Sequence, residues 1–281
     1  MRRTNIVGLL LAAILALGAV AASSALAAGG PEYLACGKAK KEGKKYTGKY
    51  ENKTCSEVSG TSEGKYERAA AKFPVKFKSK IGATKVHVYD PKDSSEDAEV
   101  ICTKGKDAGA ITSSTAGTVT ITEEGCNVPV EDENGNKSKF PGACNTPGQK
   151  SGVIVSKPLA TKLVWLDEAH TEPGIDIQPA EAGGVFEEAD CLFEKVKVKE
   201  TGSILAAVAP VGVATKLLTI TFSVQPTTYE QIPGGYWEEE TFTATKLVSE
   251  IHATGGIEEV GAPTSESSVV PQKDSGTLLV S

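Results

Sequence analysis

"LTITFSV", Leu218 to Val224, alternates apolar and hydroxyl-bearing side chains at a two-residue period. Successive side chains of an extended chain point to opposite faces, so Leu218, Ile220, Phe222 and Val224 share one face and Thr219, Thr221 and Ser223 the other, as in a half-buried strand. The same period recurs after Phe73 in Val75-Lys76-Phe77, Val86-His87-Val88-Tyr89, Val119-Thr120-Ile121, Val153-Ile154-Val155, Leu163-Val164-Trp165-Leu166 and Val196-Lys197-Val198. Between them fall turn signals: Asn134-Gly135, Pro141-Gly142, Pro147-Gly148, Pro173-Gly174, Thr201-Gly202 and Pro233-Gly234-Gly235. Val, Ile and Thr dominate these segments, which suits strands. Helical character outside the N-terminal leader is confined to a turn or two at Tyr66 to Lys72. Parallel strands need long crossovers, usually helical, so the sheet is expected to be mainly antiparallel. The expected fold class is all-β, a sandwich or barrel-like body over residues 73–257. A disulfide-closed basic N-terminal segment at 28–72 precedes it. A linker-like tail at 258–281 follows, with Thr277-Leu278-Leu279-Val280 as a candidate last strand.

The first residues read as a signal peptide over 1–27: Arg2 and Arg3, an apolar run from Ile6 to Ala22, then the small-residue cleavage site Ala25-Leu26-Ala27. Tyr33-Leu34-Ala35-Cys36 ends like a lipid-attachment site but lies beyond Gly29-Gly30-Pro31, too far from the apolar run. Ile204 to Val213 is shorter than the roughly 20 apolar residues a spanning helix needs, and Pro210 breaks it. The expected product is extracellular, with no membrane span in its mature form.

All six cysteines, Cys36, Cys55, Cys102, Cys126, Cys144 and Cys191, follow the leader, and an even count in an exported chain points to disulfides. Structural zinc is disfavoured, because no two cysteines have the close spacing of such sites and His87, His170 and His252 are far apart. Sequence proximity favours Cys36 with Cys55 and Cys126 with Cys144, leaving Cys102 for Cys191. The net charge is -6. From Pro31 to Lys80 there are 13 Lys plus Arg against 6 Asp plus Glu, whereas 15 face 30 from Ile81 onward, so the two parts should attract one another. Lys38, Lys40, Lys41, Lys44, Lys45, Lys49 and Lys53, interleaved with Tyr46 and Tyr50, make the Cys36 to Cys55 loop a candidate anion-binding surface. Outside the cell an anionic wall polymer is its natural partner. Nucleic acid is disfavoured by the export signal and the negative body. A loop that only solvates itself or rests on that body is the competing reading.

The ordered landmarks "PEYLACGKA", "YTGKYENKTC", "GKYE", the cysteines around "ITEEGC" and "GAC", "SGVIVSKPLATKLVW" and "FEEADCLFEKVKVKETGSILAAV" resemble a group of uncharacterised secreted, cysteine-containing proteins of soil actinobacteria. The resemblance runs from about Pro31 to Val224. It implies export and a shared all-β body, and it carries no catalytic residues.

Constellations with chemistry are sparse. Gly60-Thr61-Ser62-Glu63-Gly64 fits a nucleophile-elbow pattern but lacks the preceding strand and following helix that expose such a serine. Glu238-Glu239-Glu240 beside Tyr236 and Trp237 could contact a glycan or serve a carbohydrate-active hydrolase through paired carboxylates. The simpler reading is a strand with Trp237 packed inward and the acids in water. Asp90, Asp93, Glu96, Asp97 and Glu99, and the run Glu131 to Asn136, lack the ligand spacing of a calcium loop, and Asn134-Gly135 reads as a hairpin turn. His87 reads as solvent-facing, and no histidine has an evident partner. The sequence thus predicts a secreted, disulfide-stabilised β protein with a non-catalytic binding or structural role, and names no catalytic residue, metal or cofactor. An extracellular hydrolase is the alternative.

Overall fold

The structure, a computed structural model, describes residues 29–88, 98–129, 142–191, 196–225, 230–253, 266–271 and 277–281. The all-β expectation holds: the described residues form strands and no helix. Eight strands make a closed antiparallel ring in chain order: Val75–Ile81, Lys104–Ile111, Ala116–Glu124, Leu159–Trp165, Pro173–Pro179, Ile204–Ala209, Leu218–Thr221 and Glu266–Pro271. The last pairs back with the first, Ser267 opposite Ile81. Closing the ring removes the free edges that an open sheet exposes.

The inner wall follows from the alternation. Along Val75–Ile81 the odd positions Val75, Phe77, Ser79 and Ile81 are buried and Lys76, Lys78 and Lys80 are exposed. Phe77, Val119, Leu163, Ile175, Ile177, Ile204 and Ile220 meet inside the barrel. Each such side chain contributes roughly 1.5–3 kcal/mol on leaving water. Gly109 faces the same interior. A β-carbon there would lie 2.7 Å from Phe77 Cζ and 2.0 Å from the Thr118 carbonyl oxygen, so only glycine leaves room for the phenyl ring.

A second sheet of seven strands grows from one rim, in the order Leu247–Ala253, Val196–Gly202, Val185–Cys191, Gly142–Asn145, Asn127–Val128, Ala98–Cys102 and Thr84–Val88. Several of these continue barrel strands after a bend. Val196–Gly202 runs into Ile204–Ala209 through Gly202, whose φ is 88°. A positive φ of this kind is the glycine-tolerant region.

The opposite rim is closed by the N-terminal segment. Tyr33–Lys38 is the middle strand of a three-stranded sheet, between Leu279–Val280 and Tyr66–Ala70. Tyr33 is buried in the barrel core, and its backbone N–H donates to the Ser114 carbonyl at 2.6 Å. The helical turn expected at Tyr66 to Lys72 is therefore corrected. Five residues from Tyr66 to Ala70 pair with Lys38 to Leu34, and that pairing outweighs the helix preference of its alanines. Pro173-Gly174, read as a turn, opens a strand instead. The turn lies just before it, where Asp167 Oδ1 accepts the backbone N–H groups of Thr171 and Glu172 at 2.8 and 2.7 Å.

All six cysteines form disulfides: Cys36–Cys55, Cys102–Cys126 and Cys144–Cys191. The first pairing is the expected one; Cys126–Cys144 and Cys102–Cys191 are not formed. Register explains the difference. Asn127 pairs with both Ile101 and Ala143, which sets Cys126 between Cys102 and Cys144, and Cys144 pairs directly with Cys191. The four sulfurs belong to one row across neighbouring strands, and linear distance cannot show which way the middle pair turns.

Candidate functional site

Where the barrel meets the second sheet, acids take up inward positions. Glu123 continues the buried phase of Val119 along Ala116–Glu124, and Asp107 shares the inner face of its strand with Ile111. Glu200 continues the phase of Val198 on Val196–Gly202. Glu187 arrives by a bulge, where the register with Val196–Gly202 skips Phe186 so that both Phe186 and Glu187 are buried and Glu187 faces Glu200. Asp107, Glu123 and Glu187 are each 8 % exposed and Glu200 is 3 % exposed.

These four carboxyls line one end of a cavity of about 70 Å³ whose walls include Phe77, Ile81, Ile175, Ile177, Phe186 and Ile220, with Tyr33 also on its wall. No Lys, Arg or His lines it among the described residues. Hydroxyls serve part of the cluster. Ser79 Oγ donates to Asp107 Oδ2 at 2.6 Å, Ser249 Oγ donates to Glu200 Oε1 at 3.1 Å, and Thr84 hydrogen-bonds Glu123. Among the described residues Asp107 Oδ1 has no hydrogen-bond partner. Cys102 Sγ lies 3.4 Å from Glu123 Oε2, and a disulfide sulfur has no proton to give, so a hydrogen bond there needs the proton on the carboxyl.

Burial dominates the ionisation of the cluster, because an apolar interior disfavours the charged form. It pushes Asp107 up to about 6, against the Ser79 hydrogen bond. It pushes Glu200 up to about 8, with the neighbouring Glu123 adding to the rise and Ser249 opposing it. Glu187 is raised well above the usual range by burial, then by Glu200 and Glu123. Glu123 is raised by burial, partly offset by Thr84. Glu187 and Glu200 therefore hold their protons at neutral pH, and the ionisation of one acid raises the others.

The donor set does not fit a metal centre. Cys102, Glu123 and Cys126 bring ligand-type atoms within 4.8 Å of one another, but both sulfurs belong to one disulfide and offer no thiolate.

The other singled-out residues are dispersed. Lys38, Lys40, Lys41, Lys44, Lys45, Lys49 and Lys53 are all exposed; Lys45 pairs with Glu63 at 2.6 Å and Lys41 sits over the Tyr46 ring. Tyr50 is buried beneath Arg68, so it is not part of that surface. Tyr236, and not Trp237, packs inward on the hairpin Gly235–Glu238 and Thr241–Ala244, against Val164, Leu166 and Leu205 on the outer barrel wall. Trp237, on the alternate face, is half-buried against Phe242. Glu238 is paired with Lys162, and Glu239 occupies the turn with φ 52°. Ser62 lies in an exposed turn. His170 stacks on Trp165 with ring centroids 5.7 Å apart. The side chains of His87, Glu99 and His252, and residues Asp90, Asp93, Glu96, Asp97 and Glu131 to Asn136, lie outside the described residues.

Sequence reasoning passed over all four cavity acids. A signal existed: Val119-x-Ile121-x-Glu123 and Val196-x-Val198-x-Glu200 place an acid in phase with an apolar face. No family model matches the chain, and no curated protein or solved structure matches it.

Proposed function

We propose that this chain is a secreted, disulfide-stabilised β-barrel that acts outside the cell without catalysis, by holding a small molecule in the barrel interior. The observation that carries the reading is the barrel cavity with an apolar wall and one acid end, an arrangement suited to a ligand with an apolar body and a polar tip. Three disulfides in a β protein fit an oxidising compartment. The leader sequence and the resemblance to secreted actinobacterial proteins support the same address. Expressing the full chain in an exporting host tests this. The expected product starts near Ala28, has no alkylatable thiol, and in native mass spectrometry carries a small mass that denaturation releases. Retention in the cytoplasm with six free thiols, or turnover of wall glycans by the purified protein, would overturn it.

A second reading, retention on an anionic wall polymer, draws support from the exposure of all seven lysines of the Cys36 to Cys55 loop. Contacts of that kind weaken with added salt.

A further inference from the structure

We propose that the barrel cavity binds a small organic cation, a primary ammonium on a short alkyl body, with its N–H groups on two carboxyls of the cluster Asp107, Glu123, Glu187 and Glu200. The proposal rests on the reading of the barrel as a binding module and names the ligand class.

Four acids converge on one apolar space, and no basic side chain lines it among the described residues. Buried carboxylates in proteins are ordinarily paired with a cation or fully hydrogen-bonded. Here Asp107, more than nine-tenths buried and lining the cavity, keeps Oδ1 without a partner. Ser79, Thr84 and Ser249 supply only one hydroxyl each to three of the four acids. That Asp107 oxygen belongs to a residue on the cavity wall. A carboxylate accepts through two oxygens, and an ammonium brings three donors and the missing charge.

Size and shape select within the cations. No three of the four acids bring carboxyl oxygens within 4.8 Å of one another, so a single divalent ion does not find its shell assembled, whereas an ammonium can be held by two acids at a time. Water needs at least about 10–15 Å³, so a space of about 70 Å³ takes roughly five non-hydrogen atoms. Butylammonium has that size, with an alkyl chain for the Ile and Phe walls and an ammonium for the acid end. Because burial raises all four acids above their usual range in the empty site, binding a cation favours their ionised forms and releases protons, and affinity rises with pH until the ligand itself deprotonates. The groups that set this dependence are the four acids, with Tyr33 elsewhere on the cavity wall.

Thermal unfolding and titration calorimetry of the full disulfide-bonded protein test this with four probes at matched ionic strength: n-butylammonium chloride, butan-1-ol, calcium chloride and sodium chloride. The expected result is a saturable rise in Tm with butylammonium alone, in the millimolar range, and proton release measured as a buffer-dependent heat at pH 7. Wild-type affinity is expected to rise at least tenfold between pH 5 and pH 8, a test that needs no variant. The paired substitution Glu187→Gln and Glu200→Gln should weaken binding at least tenfold in a protein that still unfolds cooperatively. Equal shifts with butan-1-ol, a shift with calcium alone, or no saturable shift with butylammonium would overturn the proposal. A neutral co-purifying ligand would remove it while leaving the binding-module reading in place.

Discussion

Replacing Glu200 with Gln should stabilise the protein at pH 7 relative to pH 4, and the difference follows from the buried carboxyl alone. Glu200 is 3 % exposed and its folded-state pKa is about 8, against 4.5 for the free group. Below about pH 4.5 both the folded and unfolded chains hold this proton, so it adds no pH dependence. As pH rises, the unfolded chain loses the proton first while the folded chain keeps it. Stability falls until about pH 8 and is level beyond. One pKa unit is worth about 1.36 kcal/mol, so the 2.5 units between 4.5 and 7 amount to about 3 kcal/mol lost by pH 7. Gln does not titrate. It keeps the oxygen that accepts from Ser249 Oγ, and any cost of seating its extra N–H groups is common to both pH values. Urea unfolding of both proteins at pH 4 and pH 7, disulfides intact, reads the quantity as the variant's change in unfolding free energy at pH 7 minus that at pH 4. The expected value is up to about 3 kcal/mol in favour of the variant, smaller to the extent that Glu123 and Glu187 share the titration. A difference near zero or of opposite sign would show that Glu200 is not held protonated in the fold.

Further outcomes follow from the same geometry. Non-reducing peptide mapping should recover Cys102–Cys126 and Cys144–Cys191, and replacing both Cys144 and Cys191 with Ala should cost about 4 kcal/mol in urea unfolding, given a sequence separation of 47. Gly109→Ala should destabilise by about 1–3 kcal/mol in the same assay, because the added methyl meets Phe77 and the Thr118 carbonyl. Tyr33→Ala should cost about 3–5 kcal/mol and speed hydrogen exchange at the Ser114 rim, since the ring fills the barrel end. Substituting Lys38, Lys40, Lys41, Lys44, Lys45 and Lys49 by Gln should abolish salt-sensitive retention on an anionic wall polymer with unchanged Tm. Undiminished column retention would eliminate the loop as the contact.

The barrel wall was legible where the side-chain period was clean. Val75-Lys76-Phe77 and Leu218 to Thr221 became staves because alternation alone fixes which face is wet. Lys104–Ile111 was missed, since its inner face is Gly105, Asp107, Gly109 and Ile111, too small and too polar to register as a hydrophobic period. The same weakness hid the cavity acids. An acid is read as a surface residue unless its in-phase neighbours are consulted, and Glu187 defeats even that test because a bulge shifts its phase. Disulfide partners depend on strand order, a long-range property, so local spacing found only Cys36–Cys55.

The stave Glu266–Pro271 and the capping strand Leu279–Val280 are made after the other described strands, yet they pair with Val75–Ile81 and with Tyr33–Leu34 near the start of the fold. Until they emerge, the earlier strands can form only a trough with its acids open to solvent. Synthesis from the N-terminus thus leaves an interval in which the acid-lined interior stands open before it is sealed.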